Sequence, residues 1–185
     1  MGTHDQLEQL RRDVQYVKDR IAILDCVANQ ARGHDRHDAE LMSSVYHDDG
    51  VDEHGPAVNP GPAYGKWANE THAAAFLDHL HHITTHTCEI DGDVAHCESY
   101  VIGTMRPRGD KTIAVIGGRY LDRLERRDGV WRIAVRRCTI EFAFPADASM
   151  MHSGAFAGFL MGTWDRSDLS YARPLQLDSE PAKRW

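Results

Sequence analysis

The stretch Ile83-Thr84-Thr85-His86-Thr87-Cys88-Glu89-Ile90-Asp91-Gly92 decides the fold. β-Branched residues crowd it and it closes on Asp-Gly, the pattern of a strand running into a hairpin turn. Downstream, Arg108-Gly109-Asp110 and Asp128-Gly129 punctuate the chain in the same way. The spacing therefore predicts four strands in a meander, over 83–90, 94–106, 112–126 and 130–142. Gly103, Gly117 and Gly118 fall inside these strands, where glycine marks bulges and sharp curvature.

Upstream of the strands the period changes. Leu7, Leu10, Val14, Val17, Ile21, Leu24 and Ala28 step by three and four, which predicts an amphipathic helix stopping near Gly33. Asp38 is placed to cap a short second helix carrying Leu41, Met42, Val45 and Tyr46, with His47-Asp48-Asp49-Gly50 as its exit. After a Pro/Gly-rich loop from Gly55 to Gly65, Ala73, Phe76, Leu77 and Leu80 predict a third. Helices first and antiparallel strands afterwards give an α+β domain, with the N-terminal helices packed on one face of a strongly curved antiparallel sheet. Such a sheet, closed by helices, makes a pocket. The domain is expected over 13–143, with 1–12 a flexible N-terminus or helix start. The tail, 144–185, contains Met150, Met151, Phe156, Phe159, Leu160, Met161 and Trp164, enough apolar surface to cover the pocket mouth or a subunit interface.

Composition narrows the function classes. A net charge of -7 disfavours nucleic acid as a partner, because phosphate binding needs clustered Lys and Arg. No stretch approaches the length of a membrane span, and Met1 to Arg12 lacks an apolar secretory segment, so no membrane association and a cytoplasmic location are expected. Cys26, Cys88, Cys97 and Cys138 show no C-x-x-C spacing and read as buried reduced thiols rather than a zinc knuckle, redox pair or disulfide framework.

Twelve histidines are many for this length, and they gather at 35–54 and 72–96. Asp35, at the junction of the first two helices, is either a cap or a functional carboxylate. His86 shares a strand face with Thr84, Cys88 and Ile90 by alternation, and paired with a carboxylate it becomes a general base. Arg136 shares a face with Ala134 and Cys138, opposite Trp131, Ile133 and Val135. There it pairs with a neighbour such as Glu125 or Glu141, or points into a cavity to stabilise an anion. His82 and His86 have an H-x-x-x-H spacing, but the β-branched residues between them argue for a strand, so no metal is expected.

Several runs together resemble a known family. They are Arg20-Ile21-Ala22-Ile23-Leu24-Asp25, Asp35-Arg36-His37-Asp38, Tyr46-His47-Asp48-Asp49-Gly50, Thr84-Thr85-His86, and the segment from Gly118 to Ile133. Over Asp13 to Phe142 the chain resembles the SnoaL-like proteins of the nuclear-transport-factor-2-like superfamily, and within it the scytalone dehydratase, bile-acid dehydratase and hexachlorocyclohexane dehydrochlorinase group. The resemblance implies a cone-shaped α+β barrel and a cofactor-independent lyase in which Asp35 orients His86 as base and Arg136, five residues after Trp131, assists the leaving group. The family commonly has Tyr or Lys where this chain has Gln30, so Tyr46, His47 or Tyr120 would supply the acid. Related lyases remove water and formaldehyde from lignin-derived diarylpropanes. A hydroxylated aromatic substrate is implied, contacted by Gln30, Tyr46, His47, His54, Trp67, Tyr120 and Phe142. The same family includes isomerases and cyclases acting on steroid- or polyketide-like compounds and non-catalytic dioxygenase subunits. It also implies a homo-oligomer, a trimer through the sheets being favoured over a dimer.

Overall fold

The computed structural model describes residues 2–109, 111–181 and 183–185. The turn expected at Arg108-Gly109-Asp110 therefore lies partly outside the described residues. Helix α1 (Thr3–Arg36) is followed by α2 (Ala39–Ser44), strands β1 (Tyr46–His54) and β2 (Ala57–Pro60), helix α3 (Gly61–Ala75), and four long strands, β3 (Phe76–Asp91), β4 (Val94–Pro107), β5 (Thr112–Arg127) and β6 (Val130–Asp147). The six strands form one sheet in the order β2-β1-β6-β5-β4-β3, antiparallel throughout except for the parallel pair β1 and β6. The tail adds a two-stranded ribbon of β7 (Leu160–Met161) and β8 (Lys183–Arg184). Among the described residues no helix is long and apolar enough to cross a membrane.

The expected meander is present with longer strands, and the α+β class stands. The hairpin turns do what their residues dictate: Asp128 and Gly129, at φ 52° and 78°, form a two-residue loop between Arg127 and Val130. Three expectations differ. First, Tyr46–His54 is an edge-side strand rather than a helix end and its exit, because its buried residues Tyr46, Gly50 and Asp52 pack against β6 and α3. Second, α3 begins at Gly61, where Pro60 and Pro62 suit a helix start, and it ends at Ala75. Phe76, Leu77 and Leu80 thus belong to β3, whose inward positions at this end are His79 and His81. Third, the apolar stripe from Leu7 to Ala28 does not face the core. The packed side of α1 is Asp19, Ile23, Cys26, Val27, Gln30, Ala31 and His34.

The core lies between that side of α1 and the concave face of the sheet, around Ile23, Met42, Tyr46, Tyr64, Leu124, Trp131 and Ile133. Asp19 fastens the helix to the sheet, accepting hydrogen bonds from Trp131 Nε1 at 2.8 Å and Arg126 Nη1 at 3.0 Å.

The pairing slips between Ile83 and His86 in β3, between Val135 and Ile133 opposite Arg123 and Leu124, and between Phe142 and Ile140 opposite Gly117 and Gly118. Each slip inserts a bulge, bends the strand and reverses which residues face inward.

Candidate active site

Those reversals redistribute the expected site. In β3 the bulge at Thr84 and Thr85 brings His79, His81, His86 and Cys88 to the same concave side, so that Thr84 is no longer a face-mate of His86. In β6 the bulge at Ala134 joins Arg136 to the side of Trp131 and Ile133.

Asp35 sits in the last turn of α1, which runs past Gly33 and is closed by His37 in a left-handed conformation, φ 50°. Asp38 then caps α2, accepting from Leu41 N at 3.1 Å. The turn aims the Asp35 carboxylate at β3, where it engages His81 rather than His86. Oδ1 lies 2.7 Å from His81 Nδ1, both carboxylate oxygens lie 3.0 Å from the His81 backbone N–H, and His79 Nδ1 is 3.4 Å away. Burial would raise the Asp35 pKa, but the bonds from His79 and His81 outweigh it and hold the carboxylate below its usual range. With Nδ1–H donated to Asp35, the His81 tautomer leaves Nε2 as the basic nitrogen. His86 instead places Nδ1 2.8 Å from Ser99 Oγ, and its buried Nε2 has no partner among the described residues. The expected Asp35–His86 pair is thus replaced by Asp35–His81, five residues earlier on the same strand.

Around the pair stands a nest of imidazoles. His34 is 4.8 Å from His81 between ring centroids, and His72 is 4.6 Å from His79. Burial and then neighbouring histidines hold His34 well below the ordinary imidazole value and bring His72 down to about 3. Burial also lowers His79 against the pull of Asp35. Neutral rings at pH 7 follow.

Arg136 faces the interior, not solvent, and its partner is neither Glu125 nor Glu141. Nε and Nη2 donate to the two oxygens of Asp122 at 2.7 Å each, with the guanidinium 4.2 Å above the Tyr120 ring. Burial opposes the charge, but Asp122 outweighs it and raises the Arg136 pKa. Glu141 pairs with Arg119, and Glu125 with Arg123 and Arg127.

The remaining expected contacts divide. Tyr46 donates to Asp52 at 2.5 Å, Tyr64 Oη lies 2.9 Å from His34 Nε2 and 3.1 Å from His54 Nδ1, and Trp67 packs against Tyr64 at 5.6 Å. Gln30 is fully buried, and both its amide atoms lack hydrogen-bond partners among the described residues, as do Arg136 Nη1 and His34 Nδ1, while Asp52 Oδ1 has only His54 Nδ1 near it, at 3.5 Å. His47 does not join them: its Nε2 meets the Glu125 carbonyl at 2.9 Å, and it lines a separate surface pocket with Asp48, Asp49 and Arg127. Phe142 lies half-exposed on the sheet, over Gly117 and stacked with Phe144.

The sequence reading passed over His79, His81, His34 and Tyr64 as site residues. The signal for the first two was their alternation with Leu80 along β3, hidden by a helical reading of the same residues.

Next to the pair, a cleft of about 580 Å³ opens between β3, β4 and the tail, lined by Leu77, His79, Leu80, Met161, Trp164 and Trp185 among others. Trp164 stacks on His37 at 3.6 Å and approaches His79 at 4.9 Å. Among the described residues, two groups have metal-ligating types within reach: Asp35 with His79 and His81, and His86 with the cross-strand thiols Cys88 and Cys97.

Among curated proteins, none matches the chain. Solved structures do. Hexachlorocyclohexane dehydrochlorinase LinA-type3 from Novosphingobium barchaimii superposes with a TM-score of 0.68 at 23% identity, covering 72% of this chain and 94% of that one. A scytalone dehydratase-like protein from Novosphingobium aromaticivorans gives 0.63 at 19% identity, covering 72% and 90%. Protein Rv3472 from Mycobacterium tuberculosis, of unknown function, gives 0.61 at 29% identity, covering 70% and 75%. These likenesses confirm the cone-shaped α+β fold. Residues 15–137 match the sequence profile of the SnoaL-like domain, and the chain belongs to that family.

Proposed function

We propose that the protein is a cofactor-independent lyase that eliminates water, or water plus formaldehyde, from a hydroxylated aromatic small molecule, with His81 as base and Asp35 as its orienting carboxylate. The observation that carries the reading is the grip of Asp35 on His81: a 2.7 Å bond to Nδ1 and two 3.0 Å contacts to the backbone N–H of the same residue. That grip holds the ring orientation and tautomer and stabilises the imidazolium formed when Nε2 takes a proton. For loss of water alone, the carbon left by the proton forms the new double bond as the C–O bond on its neighbour breaks, and the departing hydroxyl takes a proton to leave as water. For water plus formaldehyde, Nε2 takes the proton of a hydroxymethyl O–H, that oxygen becomes the carbonyl of formaldehyde as its C–C bond breaks, and the freed electron pair forms the double bond as the neighbouring C–O bond breaks to release water.

Arg136 and Gln30 are assigned to the substrate oxygen. Their unpartnered buried atoms are an unstable arrangement in an empty interior and a natural one around a polar ligand. Gln30 cannot act as an acid, and with His47 removed from the site, Tyr46 and Tyr120 remain for that role. The cleft combines Leu77, Met161 and Trp164, which suit an aromatic ring, with Arg36, Arg106 and Lys183, which suit its oxygen substituents. The dehydrochlorinase and dehydratase names carried by relatives of the same fold agree with elimination chemistry.

The test is turnover by purified, metal-stripped protein on a panel of phenolic diarylpropane diols and β-hydroxy carbonyl compounds, followed by mass. Loss of water or formaldehyde that falls by about 10²- to 10⁴-fold in His81→Ala and in Asp35→Asn is expected. Product of unchanged mass would make the protein an isomerase or cyclase. Turnover indifferent to both substitutions would remove the pair from the chemistry.

A further inference from the structure

Helix α1 carries an apolar seam turned away from the core. Leu7, Leu10, Val14, Val17, Ile21 and Leu24 are between 41% and 58% exposed. With Ala28 they repeat in alternating steps of three and four over three heptads. The side of the helix that meets the sheet, including Ile23, Cys26, Val27 and Gln30, lies across the helix from this seam. Moreover, the SnoaL-like match starts at residue 15 while the helix starts at Thr3, so Leu7, Leu10 and Val14 precede the matched stretch. Six large apolar side chains in a line are more than a solvated helix face carries without a partner.

We propose that this seam is a dimerisation surface whose occupant is the same helix of a second copy, wound as a parallel two-stranded coiled coil. The residue choice selects the geometry. Leu7, Val14, Ile21 and Ala28 occupy the first apolar position of each heptad and Leu10, Val17 and Leu24 the second. β-Branched Val14 and Ile21 at the two central first positions, with leucine at two of three second positions, favour two strands. Charges flanking the seam select the direction. Parallel pairing in register sets Asp13 opposite Lys18 of the partner subunit and Arg20 opposite Asp25 of the partner subunit, each attraction occurring twice by symmetry. Antiparallel pairing centred on Val17 would instead bring the two Lys18 ammonium groups together. The seam is about 33 Å long at the rise of an α-helix. It buries on the order of 1,000 Å² over both copies, near the lower bound of a specific interface.

Sedimentation of the full chain across a dilution series tests this. A dimer is expected, and the double substitution Val14→Asp with Val17→Asp should raise its dissociation constant by about 100-fold or more, since it sets charges in the seam. Both positions are half-exposed in the single chain, so circular dichroism and melting of the dilute protein should stay as in wild type. Leu10→Cys, which faces itself only in the parallel arrangement, should form an inter-subunit disulfide under mild oxidation where wild type forms none. A monomer at every concentration overturns the proposal. So does a dimer or trimer indifferent to the double substitution, which would place association on the exposed sheet face around Ile140, Phe142 and Phe144. A dimer that Leu10→Cys fails to lock overturns the parallel arrangement.

Discussion

Arg136 is the largest side chain fully buried in the molecule, and both oxygens of Asp122 hold it at 2.7 Å. Removing one partner of such a pair leaves an uncompensated charge in the interior. Arg136→Met should therefore lower stability to urea by about 3–5 kcal/mol, and adding Asp122→Leu should recover much of the loss. Equal stability of the single and double variants would show that Asp122 is not charged there. The two strand histidines should part company in kinetics. His86→Ala, which removes a ring bonded only to Ser99, should keep kcat/KM within about tenfold of wild type, whereas His81→Ala should collapse it. Asp35 was legible in the sequence because a helix end next to a histidine-rich strand invites a carboxylate–imidazole pair. Which histidine it meets was not, since that depends on how far α1 runs past Gly33 and on where β3 begins.

At the scale of elements, the bulges carry the information that periodicity cannot supply. A period of two propagates from the nearest turn only until an extra residue intrudes. From the turn after Asp91, pairing runs unbroken to His86 and Ser99, and that much could be read from the sequence. Beyond it, Thr84 and Thr85 shift the alternation, as Ala134 and Glu141 do in β6. The helix stripe misled for a different reason: the more apolar face of α1 points away from the domain, while its packed face includes Asp19, Gln30 and His34. Close packing between α2 and α3 gives a separate test. A Cβ on Gly65 would run into the backbone of Ala39, so Gly65→Ala should cost about 1–3 kcal/mol. Gly92→Ala meets open space and pays only for its φ of 57°, about 1 kcal/mol. Thermal melting of the two variants should rank them in that order, and the reverse ranking would mean that the α2–α3 contact yields easily.

For the whole molecule, the imidazole nest ties stability to pH. His34, His72, His79 and His37 are all held below the ordinary histidine value, first by burial, with His37 at about 4 and His72 at about 3. The unfolded chain takes up these protons near pH 6.5, while the folded chain resists until the pH is lower. Below about pH 6.5 the unfolded state thus binds more protons, and stability falls as pH drops toward 4. Above pH 6.5 this contribution is complete. In His72→Phe the decline between pH 6 and 4 should be shallower by about 1.4 kcal/mol per pH unit, the weight of one proton. Urea unfolding at several pH values would show it, and parallel curves for the two proteins would mean that His72 protonates freely in the fold.

The stacked pair of Trp164 and His37, at 3.6 Å and 13° between ring planes, is also an optical device. The emission of an indole lying flat on an imidazole depends on that contact, so Trp164 reports on whether the two rings stay stacked. It lines the cleft beside His79. Any ligand that slides between the rings will change the emission at once, whether or not it is turned over, and Trp164→Phe will leave only the smaller response of Trp185 across the cleft. Binding can therefore be watched by fluorescence, without a label, across a library of aromatic compounds long before a product is known.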